Sequence, residues 1–386
     1  MRRAGLVLLA VIAALAVAPA AYADSVRDAE WHLRYLHVEE AQQRATGAGV
    51  VVAVLDSGVD ATHPDLDGAV LPGVSAVGAD DVARFDVDGR GTALAGLVAA
   101  HGHGTGDADG VLGLAPKAKI LPVLVTGGAS ATPGGPDDPE AVARGIGLAV
   151  QRGAKVICVG RTVPASGTLR DAVEQARRAD AVVVAADAPA RDGEEFPGFP
   201  AGYEDVLAAA PLTRDLTVTV GSKSGRPLAL AVPAVDVVST NTGGGYRIDA
   251  GPVAAGVLAG AVALVRSAYP DLSADEVVHR LTFTAVDAGA PGHDPLYGDG
   301  TLNLMAALTT VVPPLHPTGS GAAAPPAPTK STASPPGHAR GPLGWLVILP
   351  LLGVIGGLGW YAWRAEQDIE PRAGRRSERR PPPDPD

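Results

Sequence analysis

Four short apolar runs recur along the chain, and longer segments separate them. The first run, residues 49–55, is continuously apolar and rich in β-branched side chains, and comparable runs lie at 120–125, 155–159 and 181–186. Continuous apolarity over about four to eight residues is typical of a strand that is buried on both faces. The pattern therefore predicts strands in the interior of a sheet.

Helical periodicity is present between these runs, over residues 139–151 and 168–178. Strands that alternate with helices at this spacing predict an α/β fold, in which a mostly parallel central sheet carries helices on both faces and forms three layers. Such sheets place their functional sites at the carboxyl ends of the strands. Asp56 directly follows the first predicted strand and is therefore the first candidate site residue.

The region after the predicted sheet has a helical pattern. Residues 252–269 are small and apolar on nearly every side, which predicts a buried helix. Pro252 suits its first position, where no backbone donor is needed. The sequence from Ser273 to Glu276 has the form of a capping box and predicts a further helix that runs to about Ala285.

The two ends of the chain carry apolar segments of another kind. Residues 1–23 combine arginines, a short apolar core and an Ala-Tyr-Ala sequence, which predicts a secretory signal peptide; an uncleaved signal anchor is the alternative. Residues 341–363 carry no charge and are long enough to cross about 30 Å of hydrocarbon as a helix. The arginines of residues 364–386 predict a cytoplasmic tail. We therefore expect a single-pass protein of the cell membrane whose body lies outside the cytoplasm.

The remaining segments connect these parts. Residues 24–48 form a short N-terminal extension, and residues 49–309 form the α/β body. Residues 310–340 are rich in proline, alanine, serine and threonine, a composition that cannot bury a core and predicts an extended spacer.

Charge and composition exclude some classes of function. A formal net charge of −11 argues against a nucleic-acid partner, because neutralising phosphates requires a basic face. Cys158 is the single cysteine, so no intrachain disulfide can form. Asp107 and Asp109 are a weak hint of a calcium loop, but a solvated loop is the preferred interpretation. The sequence thus predicts no cofactor and no metal.

Three blocks of sequence follow one another along the chain. They are VVVAVLDSGVDATHPDL around Asp56, DGRGTALAGLVAA around Arg90, and AGPVAAGVLAGAVALVRSAYPDLSADEV from Ala250. They resemble the Asp, His and Ser blocks of the subtilisin-like serine peptidase family (S8). The signal peptide, spacer, anchor and basic tail narrow the resemblance to the mycosins, the membrane-anchored subtilases that accompany type VII secretion systems. This resemblance implies a subtilisin-like fold and type VII secretion components as partners.

The resemblance breaks at the residues that carry the family's chemistry. In the family, His-Gly-Thr opens a helix of small apolar residues; here Arg90 precedes such a helix, whereas His103 precedes a loop rich in glycine and aspartate. The position of the nucleophilic serine holds Pro252, and the position of the oxyanion-binding asparagine holds Asp187. Asp56 alone is retained. Because arginine keeps its proton and proline has neither a hydroxyl nor an N–H, serine-type acyl transfer is not expected.

The sequence leaves three interpretations of function. The preferred one is a non-catalytic scaffold or binding partner of a type VII secretion-like system. The alternatives are an active endopeptidase that uses His103 as a displaced base with an unidentified nucleophile, and a module that binds extended peptides without cutting them.

Asp56 and Arg90 carry a separate structural expectation. If the family fold holds, both lie at the carboxyl edge of the sheet, where a carboxylate and a guanidinium can form a bidentate ion pair. The alternative is that Asp56 only caps a turn through Ser57 and Gly58.

Overall fold

The computed structural model of the chain describes residues 26–78, 82–126, 137–186, 198–219, 229–250 and 253–315. The chain divides into two units, Met1–Thr332 and Ala333–Asp386, and all described residues belong to the first. The predicted signal peptide, transmembrane segment and basic tail, and nearly all of the spacer, lie outside the described residues. No helix among the residues described is both long and apolar enough for a membrane span.

Most strands of the described residues belong to one sheet. In chain order the strands are β1 (Val51–Asp56), β2 (Val74–Ser75), β3 (His101–His103), β4 (Asp109–Leu112), β5 (Lys119–Leu124), β6 (Val156–Val159), β7 (Val182–Ala186), β8 (Val206–Leu212), β9 (Ala229–Pro233), β10 (Val235–Asn241) and β11 (Gly245–Ala250). The central sheet has the order β2-β5-β1-β6-β7-β8-β9, and each neighbouring pair is parallel. The pairs β3–β4 and β10–β11 form separate antiparallel hairpins.

Helices cover both faces of this sheet. Those with both ends in the described residues are α1 (Trp31–Tyr35), α2 (Val38–Gln42), α3 (Arg90–Ala99), α4 (Pro139–Gln151), α5 (Gly167–Arg178), α6 (Ala254–Ala268), α7 (Ala274–Phe283) and α8 (Leu304–Thr309). Val52 and Val54 of β1 share one core cluster with α3 and α6, whereas Ala53 and Leu55 share a second cluster with α4 and α5. The alternation follows from the two-residue repeat of a strand and confirms the predicted three layers.

The predicted elements agree with the observed ones to within about two residues at each end. α4 has the predicted bounds, and α5 begins at Gly167, where the Ser166 hydroxyl accepts a hydrogen bond from the N–H of Leu169. The capping box between Ser273 and Glu276 is present. α7 ends at Phe283, earlier than predicted, because the next residue leaves helical geometry. The buried helix, α6, begins at Ala254, and Val253 is its N-cap. The prediction that Pro252 occupies its first position is therefore wrong, because the first residue with helical hydrogen bonding comes two positions later.

The N-terminal extension packs against the β3–β4 hairpin. The Arg27 guanidinium donates to the backbone oxygens of Asp107 and Asp109, at 3.2 and 3.1 Å. The Glu30 carboxylate accepts from the N–H of Leu112 at 3.1 Å. Burial raises the pKa of Glu30 to about 8, although that hydrogen bond and the nearby Arg27 oppose the rise. The extension therefore supplies side-chain partners for backbone groups at the edge of β4.

Candidate active site

Asp56 ends β1 at the carboxyl edge of the sheet and is fully buried. Its Oδ1 accepts from the backbone N–H of Ser57 at 2.7 Å and lies 3.0 Å from the Ser57 hydroxyl oxygen. The backbone at Gly160, just past β6, lies so close that a Cβ there would collide with Oδ2 of Asp56. A side chain at position 160 would therefore displace the Asp56 carboxylate, and glycine leaves room for it.

Arg90 is the first residue of α3, and its side chain reaches Asp56 from the N-terminus of that helix. Gly89 precedes it with φ of 79°, a left-handed conformation that glycine adopts readily. The Asp88 carboxylate accepts from the backbone N–H of Arg90 at 3.0 Å, and Asp86 accepts from the N–H of Thr92 at 2.7 Å. These carboxylates satisfy free N–H groups in the first turn of α3 and fix where it begins.

The predicted ion pair between Asp56 and Arg90 is confirmed. Nε of Arg90 donates to Oδ2 of Asp56 at 3.0 Å. The expected bidentate geometry is wrong, because the contact is a single hydrogen bond. The reason is that a second guanidinium lies at the other carboxylate oxygen.

That second guanidinium belongs to Arg161, which the sequence analysis missed. Nη2 of Arg161 lies 2.7 Å from Asp56 Oδ1 and 2.7 Å from Asp88 Oδ2, and Nη1 lies 3.7 Å from Asp137. Its position, two residues beyond β6, was the available signal, because parallel strands end at the same edge of a sheet. What the sequence did not show is that β6 lies directly beside β1.

The site holds more acceptors than Ser57 can serve. The Ser57 hydroxyl lies 2.6 Å from Asp86 and 2.8 Å from Asp88, in addition to its contact with Asp56. A hydroxyl donates only one hydrogen bond, so these carboxylates depend on other donors. Asp86 accepts from the N–H groups of Gly89 and Thr92, whereas Asp56 and Asp88 contact arginines.

Burial and pairing shift the two nearest carboxyl groups in opposite directions. Burial raises the pKa of Asp56, although Arg90 and Arg161 oppose the rise. Burial also raises the pKa of Asp88, but the Arg90 N–H, the Ser57 hydroxyl and the Arg161 guanidinium outweigh it and lower the pKa to about 2. Asp88 is thus a permanent anion beside Arg161.

Two of the predicted site residues cannot be placed. Pro252 and Asp187 both lie outside the described residues. The nearest described position to Pro252 is Val253, which precedes the first turn of α6. The role of Pro252 in place of a nucleophile stays a prediction.

His103 lies in β3 and pairs with a carboxylate other than Asp56. Its Nδ1 is 2.5 Å from Oδ1 of the fully buried Asp65, whose Oδ2 accepts from the N–H of Val111 at 2.9 Å. The structure therefore brings His103 to Asp65 and not to the candidate site.

The hinted calcium loop is occupied by protein contacts. Arg27 binds the backbone oxygens of Asp107 and Asp109, as described above. In the part of the chain that the structure describes, no group of at least three His, Cys, Asp or Glu side chains is arranged to hold a metal ion.

The parallel sheet with helices on both faces, and a buried aspartate at the end of its interior strand β1, define a subtilisin-like α/β protein. Residues 47–300 match the family model described as "Peptidase_S8: Subtilase family". The chain belongs to the subtilase family, as predicted.

Known relatives include subtilisins and mycosins. The chain is 34% identical over 265 residues to subtilisin DY of Bacillus licheniformis, a match that covers 68% of this chain and 91% of that protein. It is 31% identical over 339 residues to mycosin-1 of Mycobacterium tuberculosis, covering 74% of each.

A solved mycosin structure also resembles this chain. MycP1, described as a serine protease and an essential component of the type VII (ESX-1) secretion system, superposes with a TM-score of 0.63 at 30% identity, covering 72% of this chain and 88% of that one. The chain is therefore similar in both sequence and fold to a secretion-associated subtilase.

Proposed function

We propose that this chain is a catalytically inactive mycosin-like subtilase homologue that serves as a scaffold or binding partner of a type VII secretion-like system. The observation that carries the proposal is the occupancy of Asp56. Both of its carboxylate oxygens contact guanidinium groups, from Arg90 and Arg161, where a catalytic aspartate would orient an imidazole.

The chemistry of these groups supports inactivity. A general base must accept a proton near neutral pH, and a guanidinium with a pKa above about 12 does not release one. Loss of the base or nucleophile alone costs on the order of 10⁶ in turnover in a subtilisin. With Arg90 at the head of α3 and Pro252 at the predicted nucleophile position, both groups are replaced.

The location and partners follow from the sequence and from relatives. The predicted signal peptide and the predicted span over residues 341–363 hold the α/β body outside the cytoplasmic membrane, with the tail inside. Similarity to MycP1, an essential component of the ESX-1 system, supports secretion components as partners.

The alternative functions have less support. An endopeptidase that uses His103 would act through the imidazole–carboxylate pair of His103 and Asp65, which is separate from Asp56, the aspartate of the family motif. A module that binds extended peptides would need an open crevice at the strand ends, where Arg161 bridges Asp56 and Asp88.

A fluorophosphonate probe tests inactivity directly. The full chain, purified in detergent, is expected to remain unlabelled under conditions that label an active subtilisin completely. Covalent labelling of any serine, lost on heat denaturation, would revive the peptidase alternative.

Crosslinking in native membranes tests the partner. A tagged full-length chain is expected to recover type VII secretion components by mass spectrometry. A tagged variant that lacks residues 24–309 is the control, because it keeps the predicted membrane segment without the body. Equal recovery by both would contradict a role for the body.

A further inference from the structure

The two guanidinium groups at Asp56 differ in burial and in the number of their partners. The Arg90 side chain is 26% exposed, and within the described residues Asp56 is the carboxylate to which it bonds. The Arg161 side chain is 10% exposed and lies within 4.0 Å of three carboxylates, those of Asp56, Asp88 and Asp137. Arg161 is thus the more buried of the two arginines and has more carboxylate partners.

Arg161 also links separate segments at the carboxyl edge. It follows β6, whereas Asp56 ends β1, Asp88 precedes α3 and Asp137 precedes α4. Its guanidinium therefore spans the edge at which open α/β sheets bind their ligands.

This placement of Arg161 leaves one of its hydrogen-bond donors unsatisfied. Nε of Arg161 is buried and has no hydrogen-bond partner in the described part of the chain. Gly160 lets the backbone approach Asp56 closely enough for the next side chain to fold back over it. Burying a donor without a partner costs about 1–3 kcal/mol, so the contacts of Nη1 and Nη2 must outweigh that loss.

We propose that Arg161 is an internal plug: its guanidinium occupies the position beside Oδ1 of Asp56 as a ligand would and takes up the Asp56 charge. Arg161 would therefore weaken an Asp–His pair at this edge even if a histidine stood at position 90, because its guanidinium neutralises the Asp56 carboxylate on which that pair depends. This goes beyond the proposed loss of activity, since it identifies a residue that closes the site independently of the replaced catalytic groups.

Chemical rescue tests the plug. Arg161→Ala leaves a guanidinium-sized space beside a buried carboxylate, and it should lower the Tm of the full chain by roughly 10 °C. Millimolar methylguanidinium should recover at least about half of that loss while leaving the wild-type Tm unchanged. The matched control is Arg178→Ala, which removes an exposed arginine paired with Glu174; its Tm should neither fall by more than about 1 °C nor respond to methylguanidinium.

A second measurement does not depend on the alanine variant. In Arg90→His, the pKa of the introduced imidazole is measured by ¹³C-histidine NMR, with and without Arg161→Gln. Freeing the Asp56 carboxylate from Arg161 should raise that pKa by about 1 unit or more.

The outcomes are distinct from those for the proposed function. An Arg161→Ala Tm equal to that of the wild type, absence of rescue in a folded variant, or an imidazole pKa that is the same in both backgrounds would overturn the plug. None of these results depends on whether the wild-type chain reacts with a fluorophosphonate.

Discussion

The two edges of the central sheet carry similar ion clusters, but the pKa of the carboxyl group shifts in opposite directions in the two clusters. At the carboxyl edge, Asp56 meets Arg90 and Arg161. At the amino edge, Asp180 precedes β7 and meets Lys155 at 2.9 Å and Arg266 at 3.0 Å. Each cluster places one carboxylate between two cations.

Burial of the carboxylate accounts for the difference between them. The Asp180 side chain is 40% exposed, whereas that of Asp56 has no exposed surface. Burial is the largest single influence on the pKa of Asp180 and raises it, but hydrogen bonds from Arg266, Lys155 and the N–H of Ala274 together outweigh it, so the pKa falls. At Asp56 burial outweighs Arg90 and Arg161, and the pKa rises. Pairing with two cations therefore does not by itself keep the pKa of a carboxyl group below its usual range.

Removing the Asp56 and Asp180 carboxylates one at a time should give the largest difference in unfolding free energy between the two edges. Asp56→Ala leaves Arg161 and Arg90 without their shared partner in a buried site, which should cost about 3–5 kcal/mol of unfolding free energy. Asp180→Ala should cost about 1–3 kcal/mol, because Arg266 still donates to the backbone oxygens of residue 180 and Leu272. Chemical denaturation of both variants measures the difference, and a larger loss for Asp180→Ala would break the comparison.

The contributions of Asp180 and Asp56 to the unfolding free energy should change in opposite directions as the pH falls. A lowered pKa means that Asp180 stabilises the fold above its unfolded pKa of about 3.9 and loses this contribution as the pH falls through the lower folded value. A raised pKa means the reverse for Asp56: its contribution is most favourable below about pH 3.9 and declines as the pH rises.

The corresponding variants are Asp180→Asn and Asp56→Asn, with unfolding free energy measured from about pH 2.5 to 6. Asp180→Asn should flatten the loss of stability towards acid, and Asp56→Asn should steepen it. The same slope in both variants would mean that burial does not distinguish the two sites.

Removing Arg90 should have a smaller effect, because Arg161 remains at Asp56. Arg90→Ala is expected to cost about 1–2 kcal/mol, given its partial exposure and single hydrogen bond to Asp56. Arg178→Ala, on the exposed face of α5, should cost at most about 0.5 kcal/mol. Differential scanning calorimetry compares them, and an Arg90→Ala loss as large as that of Arg161→Ala would show that the two arginines at Asp56 are equivalent.

The hydrophobic pattern predicted the fold more fully than it predicted the site. Continuous apolar runs led to β1, β5, β6 and β7, because buried parallel strands need apolar side chains on both faces. The pattern did not reveal β8 or β9, whose sequences contain proline and many alanines. Among site residues, Asp56 and Arg90 were found through the motifs around them, whereas Arg161 lies in no motif.

The sequence by itself determined the class of fold and the family, and it predicts the replacement of the family's reactive groups, because local periodicity and motif order are properties of the chain alone. Only the tertiary structure decided that Arg161 joins Arg90 at Asp56 and that His103 turns to Asp65. Both pairings depend on which strand ends and loops are neighbours in space, and in a parallel sheet that order is set by the packing of helices between strands distant in sequence.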